Sequence, residues 1–298
     1  GRTGRVHRQQ LGGFLRGMMT APIDLRPLSL GELLDRTFSL YRNHFWLFVG
    51  ITAIPYLLLL GPGLLIDAAQ SLIRENPLLA GLTAGLLTLL VALGTLIAYG
   101  LTQAATVFAV SEVYLGRALS IRESYARVYG DIGRVIFVLI LVGVGIFVGF
   151  ILLIVPGIWF FLRSCVSVMP AVLEDKPAVE SIRRAMELTK GNLGRVFVVL
   201  LLFLVINWVA AVILQMPAWI AFAVVGIQEG GFTVWAMMLA RVGQFLATIL
   251  AGPMLTIALS LLYFDLRMRK EGFDLKLMME SLGSSESFGT PRLGGLGS

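Results

Sequence analysis

Two arginines, Arg163 and Arg241, interrupt otherwise apolar stretches of the chain, and their type and position suit chemistry best. A guanidinium carries a rigid fork of donors that matches phosphate or carboxylate. A charge at membrane depth is costly enough to mark a functional position. Arg163 lies 7 residues after Pro156 and 11 before Glu174, about 10 Å and about 16 Å along a helix. That depth leaves two readings: a phosphate-bearing anion in a cavity, or carbonyls freed at a proline kink such as Pro55, Pro217 or Pro253. Arg241 lies 24 residues before Asp265, about 36 Å along a helix, near the far boundary of a ~30 Å hydrocarbon core, where it can snorkel to water. Both are candidates for anion or lipid binding. The sets that would support catalysis are missing. The two histidines are His7 and His44, and no His-Glu-x-x-His zinc motif exists. No Asp lies in an apolar stretch, no histidine stands there to activate a serine, and no phosphate-binding G-x-x-x-x-G-K-[ST] loop occurs. His44, beside Phe45 and Trp46, reads as an interfacial anchor. The expectation is no catalytic residue, no metal site, no cofactor and no enzyme.

The elements that must position these arginines follow from charge placement. The chain has 298 residues, 57% apolar and 14% charged, with mean hydropathy +0.85; soluble domains carry about 25% charged residues. Five windows lack Asp, Glu, Lys and Arg altogether: 43–66, 76–111, 135–162, 196–228 and 242–264. Each exceeds the length of about 20 residues that a membrane helix needs. This excludes soluble α/β folds, disorder, and outer-membrane barrels with alternating strands. A disulfide scaffold is excluded by Cys165, the single cysteine. Window 43–66 gives span one, and the 36 residues of 76–111 give one long span ending near Val113. Val155-Pro156-Gly157 divides 135–173 into two spans, about 135–154 and 157–173. Windows 196–228 and 242–264 give spans five and six, the latter extended through Phe232–Arg241. Of the 24 Lys and Arg residues, 21 fall in the N-terminus, 112–134, 174–195 and the C-terminus, and the opposite loops hold Arg74 alone. The positive-inside tendency then places both ends in the cytoplasm. The net charge of +6 reflects these flanks. It points to anionic lipid rather than nucleic acid as partner.

Three related segments precede the odd-numbered spans: 28–45, 119–136 and 176–197. Aligned on Glu32, Glu123 and Glu180, each has an arginine four residues later, Arg36, Arg127 and Arg184. That order suits an i,i+4 pair on a helix. Apolar residues follow at the second and sixth positions, Leu34 and Phe38, Tyr125 and Tyr129, Ile182 and Met186, and form one helical face. Ser29-x-x-Glu32 and Ser120-x-x-Glu123 are capping boxes, and Pro177 suits a first helical turn. The expected fold class is an all-α membrane protein. It has six transmembrane helices as three helical hairpins, each preceded by a cytoplasmic amphipathic helix at the inner interface. Residues 22–280 form this membrane domain. Residues 1–21 read as an unstructured segment, with Met18 or Met19 as a natural start, and 281–298 as a disordered tail. Gly145-x-x-x-Gly149 and Gly81-x-x-x-Gly85 allow close helix approach. Asn207, Gln215, Gln103 and Gln244 can bond between spans.

The segments LRPLSLGELLDRTFSLYRNHF (25–45), VPGIWFFLRSCVSVMPAVLEDKPAVESIRRAMELTKGN (155–192) and YFDLRMRKEGFDL (263–275) resemble the bacterial glycerophosphoryl diester phosphodiesterase membrane-domain family. The resemblance covers about residues 22–280. It implies a multi-pass protein of the bacterial cell (inner) membrane, with membrane lipids and a membrane or phosphodiesterase protein as partners. The soluble catalytic domain of the fused family members, with its His, Glu and Asp metal-site motifs, is absent here, so the enzymatic label does not carry over. Two functional readings stand. One is a non-enzymatic integral membrane protein that organises or engages lipids or partner proteins. The other is a transporter or lipid-handling protein with an anion site at Arg163.

Overall fold

The computed structural model describes residues 28–72, 77–225 and 230–286. The segment expected to be unstructured, 1–21, lies outside them, as do residues 287–298 of the expected tail. Every regular element among the described residues is helical. They are α1 (Leu30–Asn43), α2 (Phe45–Leu72), α3 (Pro77–Tyr114), α4 (Ile121–Val128), a 3₁₀ turn (Tyr129–Asp131), α5 (Ile132–Leu152), α6 (Ile154–Ser164), α7 (Val168–Leu173), α8 (Ala178–Thr189), α9 (Leu193–Val225) and α10 (Gly230–Glu286).

Six stretches among the described residues are long and apolar enough to cross a membrane: Phe45–Gly63, Gly81–Tyr114, Ile121–Leu152, Ile154–Leu173, Leu193–Ala223 and Ala236–Gly272. They fit an integral, multi-pass membrane protein. Residues 77–111 of the long apolar window lie within one unbroken helix, α3, as the charge flanks require. Large apolar side chains such as Leu58, Phe147, Ile151 and Trp208 remain on the outside of the helices. An apolar outer surface is stable against lipid tails and costly against water.

The turn between α5 and α6 is tighter than expected from the sequence. It consists of one extended residue, Leu153, at φ −171°, ψ 158°, rather than Val155-Pro156-Gly157. Pro156 instead occupies the first turn of α6, where a missing N–H breaks no helical bond. Two glycines make the close return possible. A Cβ on Gly149 would stand 2.8 Å from the Gly157 Cα, and one on Gly145 would stand 2.4 Å from the Phe160 ring. The Gly145-x-x-x-Gly149 pattern therefore packs α5 onto α6. A Cβ on Gly81 or Gly85 would meet nothing within 4 Å.

The buried core gathers Phe48 and Ile51 of α2, Val107 of α3, Val138 of α5, Met169 of α7, Leu188 of α8, Phe203 of α9, and Ile257 and Leu262 of α10. α3 packs against α2, α4, α5 and α7, and α8 packs against α5, α6 and α7. Gln215 donates to Gln244 across α9 and α10 at 2.7 Å, and Thr256 of α10 donates to Gln103 of α3 at 3.0 Å. Asn207 serves its own helix, donating to the Phe203 carbonyl. The chain divides into two compact units, Ser29–Arg267 and the terminal stretches Gly1–Leu28 with Met268–Ser298. Within the second, Arg269 donates to the Leu28 carbonyl at 2.7 Å.

Candidate functional site

The three short helices α1, α4 and α8 begin as their sequences require. Ser29 and Ser120 accept from the N–H of Glu32 and Glu123, and each glutamate returns a bond to its cap's N–H at 2.8 Å. Pro177 caps α8 without a side-chain bond, and Glu180 lies in the first turn. The buried stripe is one residue earlier than the sequence suggests. Leu33 and Thr37, Ser124 and Val128, and Ser181 and Ala185 are buried in the three copies, at the first and fifth positions after the glutamate. At the sixth position Phe38 is 44% and Tyr129 79% exposed, Phe38 with its ring 6.0 Å from that of the buried Phe203, and Met186 is half-buried. Small side chains let these helices sit close against the spans. The second-position residues Leu34, Tyr125 and Ile182 are half-buried and pack against the core.

The repeat arginines reach partners beyond their own glutamates. Arg36 donates to the Tyr114 hydroxyl at 3.0 Å. Arg127 pairs with Asp131 at 3.2 Å and with Asp175 at 3.7 Å. Arg184 lies 3.6 Å from Glu174. They join an ionic layer at one end of the helices. Arg134 pairs with Asp131 and Asp175 at 3.1 and 3.2 Å, and Arg195 pairs with the buried Asp265 at 3.0 Å. Asp175 holds φ 51°, a left-handed conformation that Asp tolerates better than most residues; it sets the carboxylate between Arg127 and Arg134. Glu174 accepts from the Tyr263 hydroxyl and lies 3.1 Å from Lys176 and 3.8 Å from Arg267. Burial pushes its carboxyl up, but the Tyr263 and Lys176 hydrogen bonds and the Arg184 and Lys176 charges outweigh that and hold it below its ordinary value.

Arg163 closes the last turn of α6. Its Nη2 donates to the Met186 carbonyl of α8 at 2.7 Å. Its guanidinium carbon stands 4.8 Å from the centroid of the Trp159 ring, within cation–π range. Nε is buried without a hydrogen-bond partner. Arg163 thus has a main-chain carbonyl as partner, one of the two kinds the sequence left open. The carbonyl belongs to the final turn of α8 rather than to a proline kink, a position where a cation also meets the negative end of the helix dipole.

Arg241 lines a cleft of 310 Å³ between α2, α3 and α10. Tyr56, Thr95, Gln244 and Thr248 share that lining, and Leu60, Val91 and Phe245 supply apolar wall. Arg241 Nη1 lies beside Gly63, 3.8 Å from where a Cβ would stand. This joins a guanidinium, three hydroxyls and an amide on an apolar background. Such a set orients a polar headgroup while the walls hold hydrocarbon. Sequence reasoning named Arg241 and Gln244 but had no signal for Tyr56, Thr95 and Thr248, which come from three different helices. No family model, curated protein or solved structure matches the chain.

Proposed function

We propose that this is a non-enzymatic integral membrane protein that engages membrane lipids, in keeping with its resemblance to the glycerophosphoryl diester phosphodiesterase membrane domain. On this reading the six spans form three hairpins in a bacterial inner membrane. Each follows an amphipathic helix at the cytoplasmic face, and both chain ends are cytoplasmic. The 21 basic residues on one side support that orientation.

The observation that carries lipid engagement is the Arg241 cleft. Its cation and hydroxyls suit an acceptor-rich phosphate headgroup, and its open apolar walls suit the attached chain. Of the two candidate arginines, Arg241 is the one that lines such a cleft, while Arg163 braces α6 against α8. Native mass spectrometry of detergent-extracted protein tests this. The wild type is expected to retain phospholipid and Arg241→Gln to lose it with the fold intact. Equal lipid retention by both proteins would refute the cleft as the site.

A further inference from the structure

A second concavity lies on the seam between α2 and α3 and is chemically unlike the Arg241 cleft. It measures 390 Å³ and is lined by Ile54, Pro55 and Leu58 of α2 and by Ile97, Ala98 and Leu101 of α3, among others. One end is closed by Tyr125 of α4 and Tyr129 of the 3₁₀ turn. The tyrosines are held there by the fold. The Tyr125 hydroxyl donates to the Ile51 carbonyl, and Gly50 leaves room for Ile121, whose Cδ1 would stand 2.4 Å from a Cβ at that position. The slot therefore has an apolar body within two candidate spans and an aromatic rim on a short helix that borders them.

Arg122 supplies the charge at that rim. It shares a helical face with the tyrosines, since residues 122 and 129 are about 20° apart on a helical wheel and 122 and 125 about 60°. Arg122 is exposed. The nearby arginines have acidic partners: Arg117 pairs with Glu112, and Arg127 and Arg134 share Asp131 and Asp175. Arg122 makes no ion pair among the described residues, so its cation remains available. An interfacial guanidinium above a tyrosine-rimmed apolar slot matches one molecule along its length: phosphate, ester region, then acyl chain.

We infer that the slot between α2 and α3 binds one acyl chain of an anionic phospholipid whose phosphate is held by Arg122. The site adjoins the Arg241 cleft at Leu59, which lines both, but has its own cation, and it shares with the proposed function the premise that the chain spans a bilayer. Ala98 sets the slot's depth, because its small side chain is part of the floor. Tyr129, 79% exposed, presents its ring and hydroxyl at the level where glycerol esters lie.

The test uses the full chain in phosphatidylcholine nanodiscs containing phosphatidylglycerol with a photoactivatable diazirine in its acyl chain. After irradiation, crosslinks are mapped by peptide sequencing. Labelling is expected to concentrate on Leu58, Ile97 and Leu101, and diazirine-bearing phosphatidylcholine should label them more weakly. Arg122→Gln should lower phosphatidylglycerol labelling of the slot about tenfold, as expected for loss of one charge-assisted hydrogen-bonded contact, and Arg122→Lys should restore part of it. Ala98→Leu, or Ile97→Trp in the slot wall should the first not fold, should reduce labelling by both lipids. Even labelling around all lipid-facing helices, or no response to Arg122→Gln, overturns the inference. If labelling falls only with Arg241→Gln, lipid engagement at the cleft stands and the slot does not. If no helix is labelled by either lipid, the membrane reading itself fails.

Discussion

The guanidinium of Arg163 donates to the main-chain carbonyl of Met186 at 2.7 Å, tying the last turn of α6 to the last turn of α8. A hydrogen bond from a charged donor contributes about 1.5–3 kcal/mol net, and the Trp159 ring beneath the guanidinium adds to it. Arg163→Leu is expected to lower the thermal unfolding midpoint in detergent and leave retained phospholipid unchanged. Arg163→Lys should fall between, because an ammonium cannot reproduce the planar stacking. An Arg163→Leu protein of unchanged midpoint that lost its lipid would return the anion site to this residue.

The three short helices show how far the sequence could be read. Their caps and spacing were legible because those signals are local. The buried stripe was not, because each copy pairs one apolar residue, Leu33, Val128 or Ala185, with a hydroxyl residue, Thr37, Ser124 or Ser181. Thr37 donates to the Leu33 carbonyl, Ser124 to the Ser120 carbonyl and Ser181 to the Lys176 carbonyl. Each buried hydroxyl is thus satisfied by nearby backbone and can lie against a span without an unpaired donor. The six long apolar stretches were legible from charge placement and the Pro156 break. The partners of Arg36, Arg163 and Arg184 were not, since Tyr114, Met186 and Glu174 reach them only through tertiary packing. The Arg241 cleft was half legible: an isolated charge announces itself, whereas hydroxyls on three helices do not.

That offset gives a second expectation. Thr37→Glu, Val128→Glu and Ala185→Glu each force a carboxylate into a buried position, which is costly without a partner. They should sharply reduce monodisperse protein after extraction. Phe38→Gln and Tyr129→Gln, at outward positions, should be well tolerated in detergent. Size-exclusion profiles of the five variants decide the matter, and the reverse ranking would mean the sixth-position residues carry the packing.

Arg195 and Asp265 form an enclosed ion pair, with the Asp265 side chain 0% exposed and Arg195 14% exposed. Removing one partner of a buried pair strands the other charge and costs about 3–5 kcal/mol, whereas replacing both with apolar residues is often neutral. Asp265→Ala should therefore destabilise strongly. The double variant Arg195→Met with Asp265→Leu should recover most of the loss. Unfolding midpoints for the two proteins check this; a double variant as unstable as the single one would show that the pair makes contacts a hydrocarbon cannot replace.

Glu174 links pH to stability. Its folded carboxyl is held below its ordinary value, despite burial, by the Tyr263 and Lys176 hydrogen bonds and the Arg184 and Lys176 charges. A depressed carboxyl contributes stability that is fully present above the unfolded value and is lost as pH falls through the folded one. The wild type should lose stability below the ordinary carboxylate range. Glu174→Gln should be less stable at neutral pH and show a flatter acid limb. Thermal midpoints measured across that range give both comparisons; parallel curves for the two proteins would remove Glu174 from the acid response.

Topology is the expectation on which the proposed orientation depends. The basic flanks place the loop after α9 outside the cell and the C-terminal end inside. The single cysteine makes a clean background available, since Cys165→Ser removes the only native thiol. Cys165 donates to the Leu162 carbonyl between α6 and α7, a local bond that serine can reproduce. In that background Gln228→Cys should react with a membrane-impermeant maleimide in intact cells, and Ser284→Cys only after permeabilisation. Gln228 lies outside the described residues, so this position is chosen from charge placement alone. Labelling of Ser284→Cys but not Gln228→Cys in intact cells would invert the orientation. It would also move the Arg122 slot to the outer leaflet. Labelling of both in intact cells would require an even number of crossings between them and end the six-span reading.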